Sequence, residues 1–241
     1  GPCKIKSPIE LSTVIGDYRA NYVRDDSFVR NKVNVFDVNK DDAMDSTNLM
    51  QKAGPREFIY FDPHNVNAGI CTCGGLCPGL NDVIRAVVRC LWNRYGVQRI
   101  HGFQFGFKGF FPEEGYSTIP LNPENVDEIH KIGGSFLGTS RGGGQRVVEI
   151  VDCIERMNIN MLFIIGGDGT QRGSLDISNE VEKRGIKCAV IGIPKTVDND
   201  LQFIDRSFGF ETAVQRAKEA VASIHMEAYS QINGIGLVKL M

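Results

Sequence analysis

From Asn67 onward, short apolar runs alternate with stretches whose apolar residues recur every three or four positions. No other feature restricts the chain as much, because strand and helix periods must follow one another in turn. AGICT (68–72), VQRIHGFQF (97–105), MLFII (161–165) and CAVIGIP (188–194) read as strands. Helical stripes lie between them: Leu80, Ile84, Val87, Val88 and Leu91; then Val147, Ile150, Val151, Ile154 and Met157. RGSLDISNEVEKRG reads as a helix stopped by Gly185, and Asn122–Pro123 as a helix start. A long helix carries Ala213, Ala217, Ala220, Val221, Ile224 and Ala228 on one face, and GIGLVKLM closes the chain as a strand. Such alternation implies right-handed crossovers and an α/β fold, a parallel sheet with helices on both faces. The chain stops inside that last strand, so a C-terminal part is expected to be missing.

Residues 1–60 are uneven, polar and acidic around NKDDAMDS. They read as an extension that partly wraps a domain or partly dangles. The expected organisation is therefore an extension over 1–60, an α/β domain over 61–208, and the start of a further domain over 209–241.

Bulk properties exclude some function classes. A formal charge of −2 over 241 residues argues against a broad electrostatic grip on nucleic acid or an anionic membrane. No apolar run approaches the ~18 residues of a spanning helix. Seven cysteines without scaffold spacing fit a reducing compartment, the cytoplasm by default.

CTCGGLCPGLND (71–82) admits two readings. Cys71, Cys73 and Cys77 offer three thiolates where a structural zinc usually takes four ligands. The glycines account for more: Gly74 and Gly75 sit where a strand hands over to a helix, Pro78 suits that helix's first turn, and its positive end would face an anion. The arrangement recurs at IIGGDGTQRGS (164–174), where an apolar strand runs into Gly166, Gly167, Asp168, Gly169 and Thr170. An aspartate at a strand end is well placed to hold Mg²⁺. GGSFLGTSRGGG (133–144) is a third glycine-rich segment, and Arg141, its only cation, suits charge stabilisation. In IPKTVDND (193–200), Asp198 and Asp200 lie two apart, on the same side of an extended chain, and could share metal and base roles. Loops at strand carboxyl ends converge in open parallel sheets. The set amounts to the parts of a phosphoryl transferase acting on a hydroxyl.

GGLCPGLNDVIR, GGSFLGTSRGG, GGDGTQRG, PKTVDNDL, FGFETAV and GIGLVKLM, with AGPREFIYF upstream, together resemble the 6-phosphofructokinases. The match is closest to their long-chain ATP-dependent group of plants and protists. It covers about residue 53 to the end. GGDGT alone is shared with NAD and lipid kinases; PKTVDND with GGLCPGLND is specific. The resemblance implies a Rossmann-like phosphofructokinase fold and transfer of the γ-phosphate of ATP to the C1 hydroxyl of fructose 6-phosphate in glycolysis. It implies that Gly75, Arg141, Gly142, Gly167, Asp168, Gly169 and Thr170 bind ATP, with Asp168 on Mg²⁺. Thr196, Val197, Asp198 and Met241 would meet the sugar phosphate, with Asp198 as base and Arg141 and Thr196 assisting. A homo-oligomer, tetrameric by resemblance, is implied too, and residues 209–241 would begin the sugar-phosphate domain. Alternatives are a pyrophosphate-dependent phosphofructokinase, an NAD kinase (disfavoured by the presence of PKTVDND) and a catalytically silent nucleotide-binding fragment. Gly169 fits an ATP donor, whereas Lys195 is a residue shared with the pyrophosphate type.

Overall fold

The computed structural model describes residues 2–16, 20–30 and 49–240. NKDDAMDS and Met241 lie outside the described residues. The chain divides into two units, one of Gly1–Asn65 with Arg94–Gly96, the other of Val66–Asn93 with Val97–Met241.

The first unit holds four short strands, β1 (Ile5–Lys6), β2 (Phe28–Arg30), β3 (Leu49–Gln51) and β4 (Phe58–Ile59). β1 pairs with β4 and β2 with β3, both antiparallel. The Arg56 guanidinium donates to the Arg24 and Lys52 carbonyls, tying segments that few apolar contacts hold.

The second unit is the α/β domain. Its strands are β5 (Asn67–Thr72), β6 (Arg99–Phe103), β7 (Ile119–Pro120), β8 (Met161–Gly166) and β9 (Ala189–Pro194). Its α-helices are α1 (Leu80–Arg89), α2 (Val147–Arg156), α3 (Asp168–Lys183) and α4 (Phe210–Tyr229). The sheet order is β7-β6-β5-β8-β9. β6, β5, β8 and β9 are parallel; β7 is a short antiparallel edge that makes the sheet mixed rather than purely parallel.

Register separates the two faces. Cys71 lies opposite Phe103 and Ile164 on one face. These residues, with Leu162, pack in one core with Ile150, Val151 and Ile154 of α2 and Ile177 and Val181 of α3. Ala68, Ile70 and Ile100 alternate to the other face, and all are buried. There Gly102 leaves room for Leu121 and Leu137. The Asn81 side chain of α1 binds the same loop, donating to the Ile132 carbonyl (2.9 Å) and accepting from the Phe136 N–H (2.7 Å). Helices thus cover both faces, as right-handed crossovers running in opposite directions across the sheet, from β5 to β6 and from β8 to β9, require.

Three local expectations fail. Residues after Asn122 form turns and a 3₁₀ turn at Ile129–Lys131, not an α-helix. Asn122 and Asn125 accept each other's backbone N–H groups (2.9 and 3.0 Å), and such side-chain bonds compete with helix propagation. Pro78 precedes α1 rather than entering it, because Gly79 caps the helix in a left-handed conformation. GIGLVKLM is not a strand among the described residues. No described strand lies beside it to complete a ladder, and Ile235, Leu237 and Leu240 are exposed.

Candidate active site

β5 is the first strand of this sheet in sequence, and its neighbours β6 and β8 lie on opposite sides. The crossover through α1 leads one way and that through α3 the other, so the carboxyl ends of β5 and β8 flank a topological switch point. A cleft of about 580 Å³ opens there. Residues on its wall include Gly75, Arg141, Gly142, Gly167, Asp168, Gly169, Thr170, Thr196, Val197 and Asp198. Four segments drawn from between Cys73 and Asp200 have come together there, three of them following strands; Met241 alone of the expected set lies outside the described residues.

Backbone bonds hold these segments. Cys73 N–H donates to the Ile165 carbonyl (2.8 Å), joining the β5 exit to β8. Gly74 N–H donates to the Ser140 carbonyl (2.9 Å), and the Thr139 hydroxyl returns a bond to the Gly74 carbonyl (2.7 Å). This double tie carries Arg141 to the cleft although no regular strand precedes it. Lys195 N–H donates to the Gly166 carbonyl (2.9 Å), and its ammonium donates to the Gly75 carbonyl, so β9 is bound to both glycine turns. Lys195 is buried, and that desolvation, with the nearby Arg141 charge, holds its pKa below the ordinary lysine value although the Cys77 and Cys73 thiols oppose it.

α3 starts directly at Asp168, so the GDGT residues form its first turn rather than a loop before it. Thr170 fills the space over Gly166, where any side chain would collide. By contrast, a Cβ at Gly75, Gly142 or Gly169 would meet no protein atom, so each leaves its share of the cleft open to a ligand. The helix whose positive end borders the cleft is α3, not α1; Cys77, Pro78 and Gly79 do not line it. Cys71 and Cys73 belong to the apolar core, and the Cys77 thiol donates to the Phe208 carbonyl.

The two aspartates of the 193–200 segment differ. Asn199 adopts φ 54°, so the chain is not extended there, yet Asp198 and Asp200 both line the cleft. The Thr196 hydroxyl accepts from the Asp198 N–H (3.2 Å) and donates to the Asp200 carboxylate (2.6 Å). Asp200 is therefore engaged. The Asp198 carboxylate makes no hydrogen bond or ion pair among the described residues, and it is exposed to the cleft.

Charge bears on what the cleft can hold. Asp168, Asp176, Asp198 and Asp200 face Arg141, Arg172 and Lys195 there. A polyanion entering this excess of carboxylate would need a cation with it. Asp168 supplies a hard oxygen donor at the helix N-terminus, its carboxylate held only by exposed Arg172 (2.5 Å). Among the described residues no group of three or more His, Cys, Asp or Glu side chains is placed to hold a metal ion, so the site fits Mg²⁺ as one carboxylate whose remaining ligands would be phosphate and water. The motifs did not bring out the far wall, made by Phe107, Gly144, Gln145, Gly173 and Asp176. Gly144 and Gly173 approach so closely that a Cβ on either would touch the other residue's backbone. The glycines of GGGQ and QRGS were the only sequence signal for that contact.

The phosphofructokinase family profile matches residues 67–241. The chain belongs to the phosphofructokinase family. It is 54% identical over 243 aligned residues to an ATP-dependent 6-phosphofructokinase of Borreliella burgdorferi, covering 100% of this chain and 53% of that protein. ATP-dependent 6-phosphofructokinase 7 of Arabidopsis thaliana is 54% identical over 79% of the chain and 39% of its own length. An ATP-dependent 6-phosphofructokinase of Trypanosoma cruzi is 50% identical over 80% of the chain and 40% of its own length. The chain thus spans about half or less of each relative. Among solved structures, a phosphofructokinase from Saccharomyces cerevisiae superposes with a TM-score of 0.59 at 24% identity, over 69% of this chain and 25% of that one. A pyrophosphate-dependent phosphofructokinase from Marinobacter aquaeolei gives 0.58 at 22% identity, over 67% and 41%. At those identities the likeness speaks for the fold.

Proposed function

We propose that this chain forms the nucleotide-binding part of an ATP-dependent 6-phosphofructokinase, transferring the γ-phosphate of ATP to the C1 hydroxyl of fructose 6-phosphate. The observation that carries the reading is the pairing of an uncommitted Asp198 carboxylate with open glycine turns in one cleft. Gly75, Gly142, Gly167, Gly169 and Thr170 accept the phosphate chain against backbone N–H groups and the positive end of α3. Arg141, with no hydrogen bond or ion pair among the described residues, is free to turn its guanidinium to the transferring phosphoryl group. Asp198 takes the C1 hydroxyl proton as that oxygen attacks phosphorus in line and ADP departs with the electrons of the broken P–O bond. Thr196, through its bonds to Asp198 N–H and Asp200, fixes the loop that presents the base. Asp168 would hold Mg²⁺, which would supply positive charge against the charge developing on the phosphates.

The same reading assigns Val197 to the sugar side with Thr196 and Asp198, Met241 to the sugar phosphate, and residues 209–241 to the start of that domain. It includes a homo-oligomer. It also includes a cytoplasmic setting, supported by seven free cysteines. ATP is favoured as donor over pyrophosphate because Gly169 is open and uncharged where the α-phosphate must pass. A coupled assay of the full-length protein with fructose 6-phosphate and each donor at matched concentration tests this: faster turnover with pyrophosphate refutes ATP, and none with either refutes the enzyme.

A further inference from the structure

Asn199 stands between the two cleft aspartates, in the left-handed region at φ 54°, a conformation asparagine tolerates better than most residues. Its side chain does not enter the cleft. The Asn199 amide donates to the Asp205 carbonyl (3.1 Å), and its amide oxygen accepts from the Ser207 N–H (2.6 Å). Ser207 is buried at 5% exposure, and its hydroxyl donates back to the Thr196 carbonyl. A closed ring results: Thr196 holds Asp198 N–H and Asp200, Asn199 holds 205 and 207, and Ser207 holds Thr196. Asp198 itself has no side-chain partner that could fix it, so its direction is inherited from this ring.

We propose that Asn199 is a positioning residue, whose side-chain anchor to residues 205–207 sets the orientation of the Asp198 carboxylate. The proposal rests on Asp198 being the base. Two properties of Asn199 are separable. Glycine preserves the left-handed turn but removes both anchoring bonds; alanine removes the bonds and strains the turn as well. Geometry errors on the order of 1 Å in a reacting group cost about 10²-fold in rate. None of the ring's hydrogen bonds runs to the glycine turns that hold the nucleotide, so binding of ATP should be spared.

The experiment is steady-state kinetics of the full-length protein with Mg–ATP and fructose 6-phosphate, comparing Asn199→Gly and Asn199→Ala, with amide hydrogen exchange at Ser207. Both variants should lose at least about tenfold in kcat, keep KM for ATP within about twofold, and exchange the Ser207 amide faster. Wild-type kcat in Asn199→Gly would overturn the proposal, since the turn alone would then suffice. A loss of ATP affinity matching the loss of kcat would overturn it too, as a general structural defect. If the wild-type protein shows no turnover, the phosphotransfer reading fails separately. Ser207 exchange then decides whether the anchor exists: unchanged protection in Asn199→Gly removes it.

Discussion

α3 and α4 follow β8 and β9 by way of cleft segments, and both carry an apolar stripe, yet they end in opposite environments. α3 spans 16 residues and buries Gly173, Ser174, Ile177 and Val181. α4 spans 20 and buries none. The cause is where each leads. α3 connects β8 to β9, adjacent parallel strands, so the crossover lays it on the sheet. α4 leaves β9, an edge of the sheet, and no further described strand brings it back. A stripe gives a helix a face; only a returning chain gives that face something to cover.

The largest expected effect sets the α4 side of the cleft against the α3 side. Asp198 lies on the approach to α4, whereas the proposed ATP site lies at the start of α3. Asp198→Asn in the full-length protein should cut turnover by ~10²-fold or more while leaving ATP affinity unchanged. Initial rates with equilibrium ATP titration check this, and near-full turnover removes Asp198 from the base role.

Next in size is a pair of identical truncations. Val181 in α3 is 3% exposed and Val221 in α4 is 46% exposed. Both lose the same two methyl groups and gain the same helix propensity, so their difference isolates burial. Val181→Ala should cost about 2 kcal/mol more than Val221→Ala in denaturant unfolding. Equal costs would mean that α4 is covered in the folded protein.

Gly169→Asp sharpens the same comparison from the α3 side. An acidic residue in the first turn suits the helix dipole, so folding should not suffer. ATP binding should weaken by about tenfold through repulsion of the phosphates, read by calorimetric titration; unchanged affinity would place the phosphates elsewhere.

The smallest effect concerns Lys195. Its folded-state pKa is depressed by burial, so the unfolded chain binds more protons between the folded pKa and about 10.4. The wild type should therefore gain stability relative to Lys195→Met as pH rises through that window. A stability difference that does not change with pH would show that the ammonium is not desolvated.

Much of the cleft was legible because its parts follow apolar strands. MLFII and CAVIGIP mark β8 and β9, and parallel strands deliver their loops to one edge, so Asp168 and Asp198 had to be neighbours. The 133–144 segment was harder, since its place depends on the Gly74–Ser140 and Thr139–Gly74 bonds rather than on a strand of its own. The far wall escaped because Phe107 and Gly144 meet Gly173 across long sequence separations, which no local pattern encodes.

By itself, the sequence determined the α/β class, the succession of β5, β6, β8 and β9 with α1 to α4, and the four segments that line the cleft. Those depend on local periodicity and on residues whose backbone or charge has few substitutes. Tertiary structure alone decided which of two like aspartates stays free, because Thr196 can bond Asp200 only once Asn199 turns the chain. It also decided that α3's N-terminus rather than α1's borders the cleft, and that GIGLVKLM forms no described strand. A turn's aim and a strand's partner are properties of what lies beside them in space, which a one-dimensional pattern does not contain.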